Sequence, residues 1–281
     1  MPEAGAYLTL KLARDLFRKS PERLEPDERR RVESVAAKQR ELESLILSTP
    51  EAASVSLPDS SVESSLMEIR ARYESDDDYH ADLERIGLDP AMLRREVERD
   101  LTVDAVLERI GSRAARVSDT DVEIFYFMHK ERFVRPETRT LRHILVTIND
   151  TLPGSERSAA LAKIETVRAR LVKDPKRFAE QALKHSECPT AMNGGLLGTL
   201  PRGQLYAELE PVAFALAVGQ LSDVVESPIG FHVLRCDAIV PQRLAALDDV
   251  RTRIHDHLAG QRKKICQKSW INGLRREATA G

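Results

Sequence analysis

The sequence predicts an α+β protein in which a domain of mixed helices and strands is inserted between the segments of a helical domain. Apolar residues recur with helical spacing up to about residue 134, strand-like runs appear after Arg135-Pro136, and helical spacing returns from Leu244 onward. The chain has 281 residues, of which 42% are hydrophobic, 31% charged and only 5% aromatic. This composition is sufficient for a buried core and is typical of a helix-rich protein.

The N-terminal domain, residues 1–134, is predicted to consist of successive amphipathic helices. Asp89-Pro90 places a capping residue before a proline at the first helical position, and the apolar stripe that follows ends at Gly111. The segment from Ser118 to Asp121 opens a further helix, which is rich in apolar residues over 124–128. We interpret these stripes as ordinary core faces, and none of them has the pattern of a cofactor-binding motif.

The inserted domain, residues 136–240, is predicted to combine strands with helices. Its predicted elements are a strand over 141–148, a helix from about residue 155, a helix after Asp174-Pro175, a turn-rich stretch over 186–203, a short helix over 209–216, and two strands at 224–225 and 231–236. This order of strand, helices and two strands indicates a compact α+β domain of roughly 100 residues.

A long C-terminal helix is predicted within residues 241–281. Its apolar stripe comprises Val250, Ile254, Leu258, Ile265, Ile271 and Leu274. A lone helix cannot bury such a stripe unaided. We therefore expect this helix to pack on the N-terminal helices, which makes the α+β domain an insertion between them.

Charge and cysteine usage exclude several classes of protein. The formal net charge is −2, and the basic runs alternate with acidic residues, so we do not expect a nucleic-acid-binding protein. The three cysteines, at positions 188, 236 and 266, form no CxxC motif and no metal-ligand spacing. We therefore expect neither a metal site nor a disulfide framework.

The sequence also predicts a cytoplasmic location. Residues 1–7 lack the basic segment and apolar core of a signal peptide. No apolar stretch is long enough to span a bilayer, so we expect no contact with a membrane.

Two histidines and a cysteine carry the candidate chemistry. His143 falls on the apolar face of the strand at 141–148, and His232 falls on the apolar face of the strand at 231–236. Two such histidines can satisfy each other, since one ring nitrogen donates while the other accepts, so a purely structural pairing remains open. Cys188 with a histidine is in principle a nucleophile and its base. However, no cysteine-protease signature surrounds it and no acid orients either histidine, so the arrangement favours rotation of a peptide bond over its cleavage.

Residues 136 to about 240 resemble the parvulin-type peptidyl-prolyl cis-trans isomerases. The matching segments are RHILV at 142–146, HSEC at 185–188, GGLLG at 194–198, PRGQL at 201–205, FAL at 214–216 and GFHVL at 230–234. The resemblance implies a four-stranded antiparallel sheet surrounded by helices. It also implies isomerisation of X-Pro bonds in a protein client, without a metal or an organic cofactor.

The resemblance assigns roles to individual residues. The catalytic positions correspond to His143, Cys188, Ser227 and His232. The substrate-binding positions correspond to Leu197, Leu205 and Leu209, which form the proline pocket, and to Phe214 beneath it. The family usually has Phe at the position of Leu209, so we expect a roomier pocket. The loop at 149–157 lacks a basic cluster, so specificity for phosphoserine-proline is not expected.

The flanking helices resemble the helical chaperone module of the SurA and PrsA families. The segments RYES at 72–75, HSECPTAM at 185–192 and ESPIGFHV at 226–233 also resemble a family of nitrogen-fixation accessory proteins. That resemblance runs over most of the chain and implies a client, the iron protein of nitrogenase, which is helped to reach its mature dimer. The alternative is a non-catalytic chaperone that holds folding intermediates through its helical module.

Overall fold

A computed structural model describes residues 5–149 and 151–280 of the chain. The chain divides into two compact units: the segment up to Val122 with the segment from Arg253 onward, and the segment from Glu123 to Thr252. The first unit is helical and the second contains the sheet. The predicted fold class, with an α+β unit inserted into a helical one, is therefore confirmed.

The helical unit begins with six helices, followed by a seventh that crosses its boundary. Their bounds are α1 Ala6–Phe17, α2 Pro26–Leu47, α3 Pro50–Ala53, α4 Asp59–Arg70, α5 Asp76–Arg85, α6 Pro90–Gly111 and α7 Asp119–Met128. The start of α6 follows the prediction, because the Asp89 carboxylate accepts a hydrogen bond from the backbone N–H of Met92 at 2.6 Å. Such a cap contributes about 1 kcal/mol to stability.

The inserted unit contains two sheets. Its elements are β1 Val134–Arg135, β2 Thr138–Thr147, α8 Arg157–Lys173, α9 Phe178–His185, β3 Leu196–Pro201, α10 Leu209–Ala213, β4 Val225–Ser227, β5 Gly230–Val240 and β6 Arg243–Leu244. The main sheet is antiparallel with strand order β3-β2-β5-β4, and β1 pairs with β6 in a two-stranded sheet. The C-terminal helix, α11, spans Leu247–Ala280.

Strand β3 lies inside the stretch predicted to be turn-rich. Glycines at 194, 195 and 198 and Pro201 are strong turn signals, and they concealed the strand in the sequence. Pairing with β2 overrides those local preferences, with Thr199 opposite Thr140 and their hydroxyl oxygens 2.8 Å apart.

The two faces of the main sheet have different partners. One face carries Ile144, Val146, Phe231 and Val233, which pack against apolar side chains of α8 and α9. The opposite face carries both histidines, together with Leu141, Leu234 and Cys236, which pack around α10. The strand alternation predicted for His143 and His232 therefore places both rings over one face of the sheet.

The buried face of α11 differs from the predicted stripe. Cys266, Trp270 and Leu274 pack against the cluster around Ile46 and Ile110, in α2 and α6. Ile265 is 67% exposed, so its assignment to the stripe was wrong. Successive helical residues point about 100° apart, and the spacing 266, 270, 274 defines the face that is covered.

The apolar residues of α7 also depart from the prediction. Tyr126 is buried and donates a hydrogen bond to the carbonyl oxygen of Ala245 at 2.7 Å. In contrast, Ile124, Phe127 and Met128 are 53%, 60% and 70% exposed. Interpreting the whole segment as a core face was therefore wrong, because only one side of this helix is covered. Within the described ranges, no helix is long and apolar enough to cross a membrane.

Candidate active site

The two predicted histidines are in direct contact. On adjacent strands, His143 lies opposite Leu234 and Leu145 lies opposite His232, so the two imidazoles are diagonal neighbours on one face. Their Nδ1 atoms are 3.3 Å apart, and the rings stack with centroids 5.5 Å apart. The structure thus pairs the two histidines, which the sequence placed on the apolar faces of two strands.

A chain of hydrogen bonds runs through the pair. Beyond it, His143 Nε2 lies 3.1 Å from the Thr190 hydroxyl oxygen, and His232 Nε2 lies 2.8 Å from the Ser227 hydroxyl oxygen. Ser227 in turn lies 3.3 Å from the carbonyl oxygen of Gly230. One proton placement satisfies all these atoms: Thr190 donates to His143, His143 donates to His232, His232 donates to Ser227, and Ser227 donates to Gly230.

Both imidazoles are held in the neutral form. Burial lowers the pKa of His143 to about 4. Burial, with a smaller contribution from the adjacent His143, also lowers the pKa of His232 to about 4. His143 is only 5% exposed and His232 only 1%. Near neutral pH the pair therefore offers uncharged donors and acceptors, and neither ring carries a positive charge.

Sequence reasoning missed Thr190. It lies on a short 3-10 helix, Pro189–Asn193, between Cys188 and the glycine turn. A buried histidine needs a partner for each ring nitrogen, and the pairing with His232 accounts for only one nitrogen of His143. A search for a hydroxyl near the glycine turn could have found this residue.

Cys188 is half-buried and free, and it lies two residues before Thr190. Its backbone N–H donates to the Ser186 hydroxyl oxygen at 3.4 Å, and the same oxygen accepts from the N–H of Leu145 at 3.1 Å. The N–H of Glu187 donates to the carbonyl oxygen of Leu145 at 2.8 Å. These bonds fasten the cysteine loop to β2, the strand that carries His143.

The four predicted substrate-binding residues share one apolar cluster on the histidine face. Leu197 and Leu205 are half-buried and keep exposed surface. Leu209, at 2% exposed, and Phe214, at 5%, lie beneath the surface. The structure thus brings together a polar floor and an adjoining apolar patch, in which the two outer leucines are accessible.

Arginine side chains rigidify the base of this patch, a feature that sequence reasoning missed. The guanidinium carbons of Arg139 and Arg202 lie 5.1 and 4.3 Å from the ring centroid of Phe214. Arg139 also donates to the carbonyl oxygens of Ala213 and Leu216, at 3.0 and 2.6 Å. These contacts fix α10 and the aromatic ring under the patch.

The glycine turn approaches β2 too closely for a side chain. The N–H of His143 donates to the carbonyl oxygen of Gly195 at 2.8 Å. A Cβ atom on Gly195, whose φ is +76°, would lie 2.3 Å from the carbonyl oxygen of His143. The glycine is therefore required by both its backbone conformation and its surroundings.

Arg157 and Lys163, two cations of α8, are paired with carboxylates. Arg157 binds Glu226, with Nε 2.9 Å from Oε1, and Lys163 binds Glu187, with Nζ 2.6 Å from Oε1. The expectation about the loop at 149–157 partly concerns Asp150, which lies outside the described residues. Over the described positions, no group of three or more His, Cys, Asp or Glu side chains is placed to hold a metal ion.

Comparisons with known proteins identify relatives of this chain. Residues 143–238 match the family model for the rotamase, or PPIC-type PPIase, domain. The peptidyl-prolyl cis-trans isomerase NifM of Azotobacter chroococcum mcd 1 is 42% identical over 268 residues, which cover 95% of this chain and 92% of that protein. NifM of Azotobacter vinelandii is 42% identical over 265 residues, which cover 94% of this chain and 90% of that protein.

A solved structure is similar along most of the chain. It comes from work on PEB4 and Cj1289, two SurA-like chaperones of Campylobacter jejuni. The match covers 95% of this chain and 92% of the chain in that structure, with 20% identity and a TM-score of 0.49.

Proposed function

Because this chain belongs to the NifM family of parvulin-type peptidyl-prolyl cis-trans isomerases, we propose that His143 and His232 form the floor of its catalytic site. The contact between their Nδ1 atoms, at 3.3 Å, is the observation that carries this assignment. A buried, neutral pair of imidazoles suits a reaction in which no covalent bond is broken and no proton is transferred.

The reaction is rotation about the bond that precedes a proline. Its barrier, about 20 kcal/mol, arises from conjugation between the amide nitrogen and the carbonyl. As the bond twists, the nitrogen becomes more basic and the carbonyl oxygen carries less charge. An apolar pocket disfavours the polar planar form relative to the twisted form. Hydrogen bonds that strengthen in the twisted form lower the barrier further.

The proline ring is assigned to the apolar patch beside the histidines. Leu197 and Leu205 keep accessible surface and form its walls. Leu209 and Phe214 are buried and support those walls from beneath. The family usually has Phe in place of Leu209. This pocket is therefore larger and binds the proline ring less tightly.

Ser227 and Cys188 complete the catalytic set. The Ser227 hydroxyl orients His232 through the 2.8 Å contact between Oγ and Nε2. Cys188 tunes the electrostatics near the substrate carbonyl and forms no covalent bond. The hydrogen bonds that fasten its loop to β2 support this placement.

The client we assign is the iron protein of nitrogenase, and the location is the cytoplasm. Support for the client comes from the 42% identity to proteins that carry the name NifM, together with the resemblance to nitrogen-fixation accessory proteins. The cysteines at 188, 236 and 266 are free, as expected in a reducing compartment. We divide the chain into three functional segments, which span residues 1–134, 136–240 and 241–281. The family match at 143–238 falls within the middle segment.

The assignment is tested by NMR measurement of cis/trans exchange in short X-Pro peptides with the full-length protein. The wild type should accelerate exchange. In the double variant His143→Ala/Cys188→Ala, the catalysed rate should fall by at least about tenfold, which corresponds to an increase of about 1.4 kcal/mol in the activation free energy. Cys266→Ser, a change in α11, is the matched control and keeps the wild-type rate. Circular dichroism reports whether each variant is folded. A folded double variant with an undiminished rate would sink the assignment.

A separate measurement tests the client. The iron protein is expressed in cells with wild-type accessory protein, with the double variant, or with neither, and its active dimer is quantified. Maturation that depends on the wild type and fails with the double variant supports the client assignment. Equal maturation in all three strains contradicts it.

A further inference from the structure

A cavity of about 250 Å³ opens in the helical unit. It is lined by side chains of α1, of the end of α4 and the segment that follows it, and of the stretch that runs from α5 into α6. The lining residues are Tyr7, Leu10, Lys11, Arg14, Asp15, Ile69, Arg72, Tyr73, Leu83, Ile86, Leu88 and Leu93. All of them belong to the unit without the histidine pair.

The wall of the cavity is apolar and preformed. Leu10, Leu83, Leu88 and Leu93 are buried, and the last three belong to one hydrophobic cluster. Because packing fixes these side chains, the wall does not need to be rebuilt when a ligand enters. Its volume lies at the small end for ligand sites and suits one or two bulky side chains of a peptide.

Most charges at the rim are already paired. Lys11 Nζ lies 2.6 Å from the carboxylate of Asp100. Arg14 lies 3.6 Å from the carboxylate of Asp82. Asp82 also accepts a hydrogen bond from the Tyr73 hydroxyl at 2.7 Å. These groups have little capacity left for an added anion.

Arg72 is different. Its side chain is exposed at the rim, and its guanidinium takes part in none of the hydrogen bonds or ion pairs found among residues 5–149 and 151–280. Burial raises the pKa of Tyr7, whereas the nearby charge of Arg72 acts in the opposite direction. The Tyr7 hydroxyl is therefore protonated, within electrostatic range of Arg72, and able to donate.

We propose that this cavity binds a client segment in which the carboxylate of an Asp or Glu side chain adjoins a bulky apolar residue. The apolar side chain fills the leucine-lined wall. The carboxylate accepts hydrogen bonds from the planar guanidinium of Arg72 and from the Tyr7 hydroxyl. Asp15 lines the same cavity and repels any anion, but it repels a dianionic phosphate about twice as strongly as a singly charged carboxylate, so the carboxylate is the better match. This site lies outside the isomerase unit and adds a second contact with the client.

The test is fluorescence anisotropy of labelled 12-residue peptides without proline, titrated with full-length protein. The first peptide has a central Leu-Phe-Glu, the second Leu-Phe-Gln, and the third Gly-Ser-Glu. The wild type should bind the first peptide at least about tenfold more tightly than either of the others. Failure of the wild type to bind the first peptide at about 1 mM would overturn the proposal.

Two variants sharpen the test without disturbing the core. Arg72→Gln and Tyr7→Phe should each weaken binding of the Glu peptide, Arg72→Gln by about tenfold, and neither should change binding of the Gln peptide. Arg31→Gln, an exposed arginine of α2, is the matched control and should bind like the wild type. Unchanged affinity of Arg72→Gln for the Glu peptide would overturn the proposal. The proline-peptide exchange rate, measured on the same samples, tests the isomerase assignment independently.

Discussion

The guanidinium of Arg142 donates a hydrogen bond to the carbonyl oxygen of Gly194 at 2.9 Å, from the face of the sheet opposite His143. The same side chain donates to the carbonyl oxygen of Asn193 at 3.2 Å and to the carboxylate of Asp237 at 2.7 Å. Asp237 is held in turn by Arg235, at 2.8 Å. The end of the 3-10 helix that carries Thr190 is thus clamped from behind the strand that carries His143.

Replacing Arg142 should disturb the site through this clamp. Arg142→Gln removes charged hydrogen bonds, each worth about 1.5–3 kcal/mol, so proline-peptide exchange should slow by about tenfold. The NMR shift of the Gly195 amide should move, because the glycine turn is released. Arg142→Lys should restore part of the rate, and Arg177→Gln, which alters an exposed pair with Glu180, should change nothing. An unchanged rate in Arg142→Gln would show that the turn holds without the clamp.

Thr190→Val should weaken the histidine pair at its outer end. The substitution keeps the shape of the side chain but removes the hydroxyl that donates to His143 Nε2 at 3.1 Å. Leaving that buried nitrogen unpaired costs about 1–3 kcal/mol, to be measured by urea unfolding. The ¹⁵N shifts of the His143 ring should change as its hydrogen bonding changes, and Thr190→Ser should restore them. Wild-type ring shifts in Thr190→Val would contradict the proposed chain of hydrogen bonds.

Stability should fall as the pH is lowered from about 6.5 toward 4. The folded-state pKa of each histidine is lowered to about 4, below the value of 6.5 for a free histidine. Between these values the unfolded chain binds more protons than the folded chain, so acid favours unfolding. The loss is about 1.4 kcal/mol per pH unit for each histidine.

Urea midpoints measured from pH 7 to 4.5 test this dependence. Acidic groups with lowered pKa values, such as Asp121 and Glu180 at about 2, begin to lose their contribution only below about pH 5, so the slope between pH 6.5 and 5 reports the histidines. A midpoint that stays constant down to pH 4.5 would rule out a buried, neutral pair. Direct ¹³C NMR titration of His143 and His232 gives an independent measurement.

Two leucines of the pocket should respond differently to truncation. Leu209 is 2% exposed within its cluster, so Leu209→Ala should leave a cavity and cost about 2–5 kcal/mol of stability. Leu205 is half-buried, so Leu205→Ala should cost less stability and act mainly on the affinity for proline peptides. Urea unfolding and the peptide dependence of exchange separate the two effects. Equal stability losses at both positions would contradict the division into wall and support.

The sequence was informative where a pattern repeats. Strand alternation predicted that His143 and His232 each lie on the apolar face of their own strand, because a period of two leaves only two faces to choose from. The capping pattern at Ser118 predicted the start of α7, where the Asp121 carboxylate accepts a hydrogen bond from the Ser118 N–H at 2.8 Å. These features are local, so the residues that determine them are close together in the chain.

Features that depend on distant residues could not be predicted in this way. Strand β3 exists because β2 lies beside it, although its glycines signal a turn. Thr190 becomes a partner of His143 only after the glycine turn has folded against β2. In α11, helical spacing alone could not distinguish Ile265 from Cys266, because only the packing of α2 and α6 determines which side is covered.

The return of α11 to the first helices sets the order in which the protein is completed during translation. Gln267 Nε2 donates to the carbonyl oxygen of Leu107, a residue made 160 positions earlier. At about 5–20 residues per second, the ribosome leaves the early helices without this partner for roughly 10 to 30 s. The helical unit, although started first, is finished last. A nascent chain that stalls before Trp270 therefore carries a complete isomerase unit beside an unfinished helical one, whose apolar surface is open to chaperones and proteases.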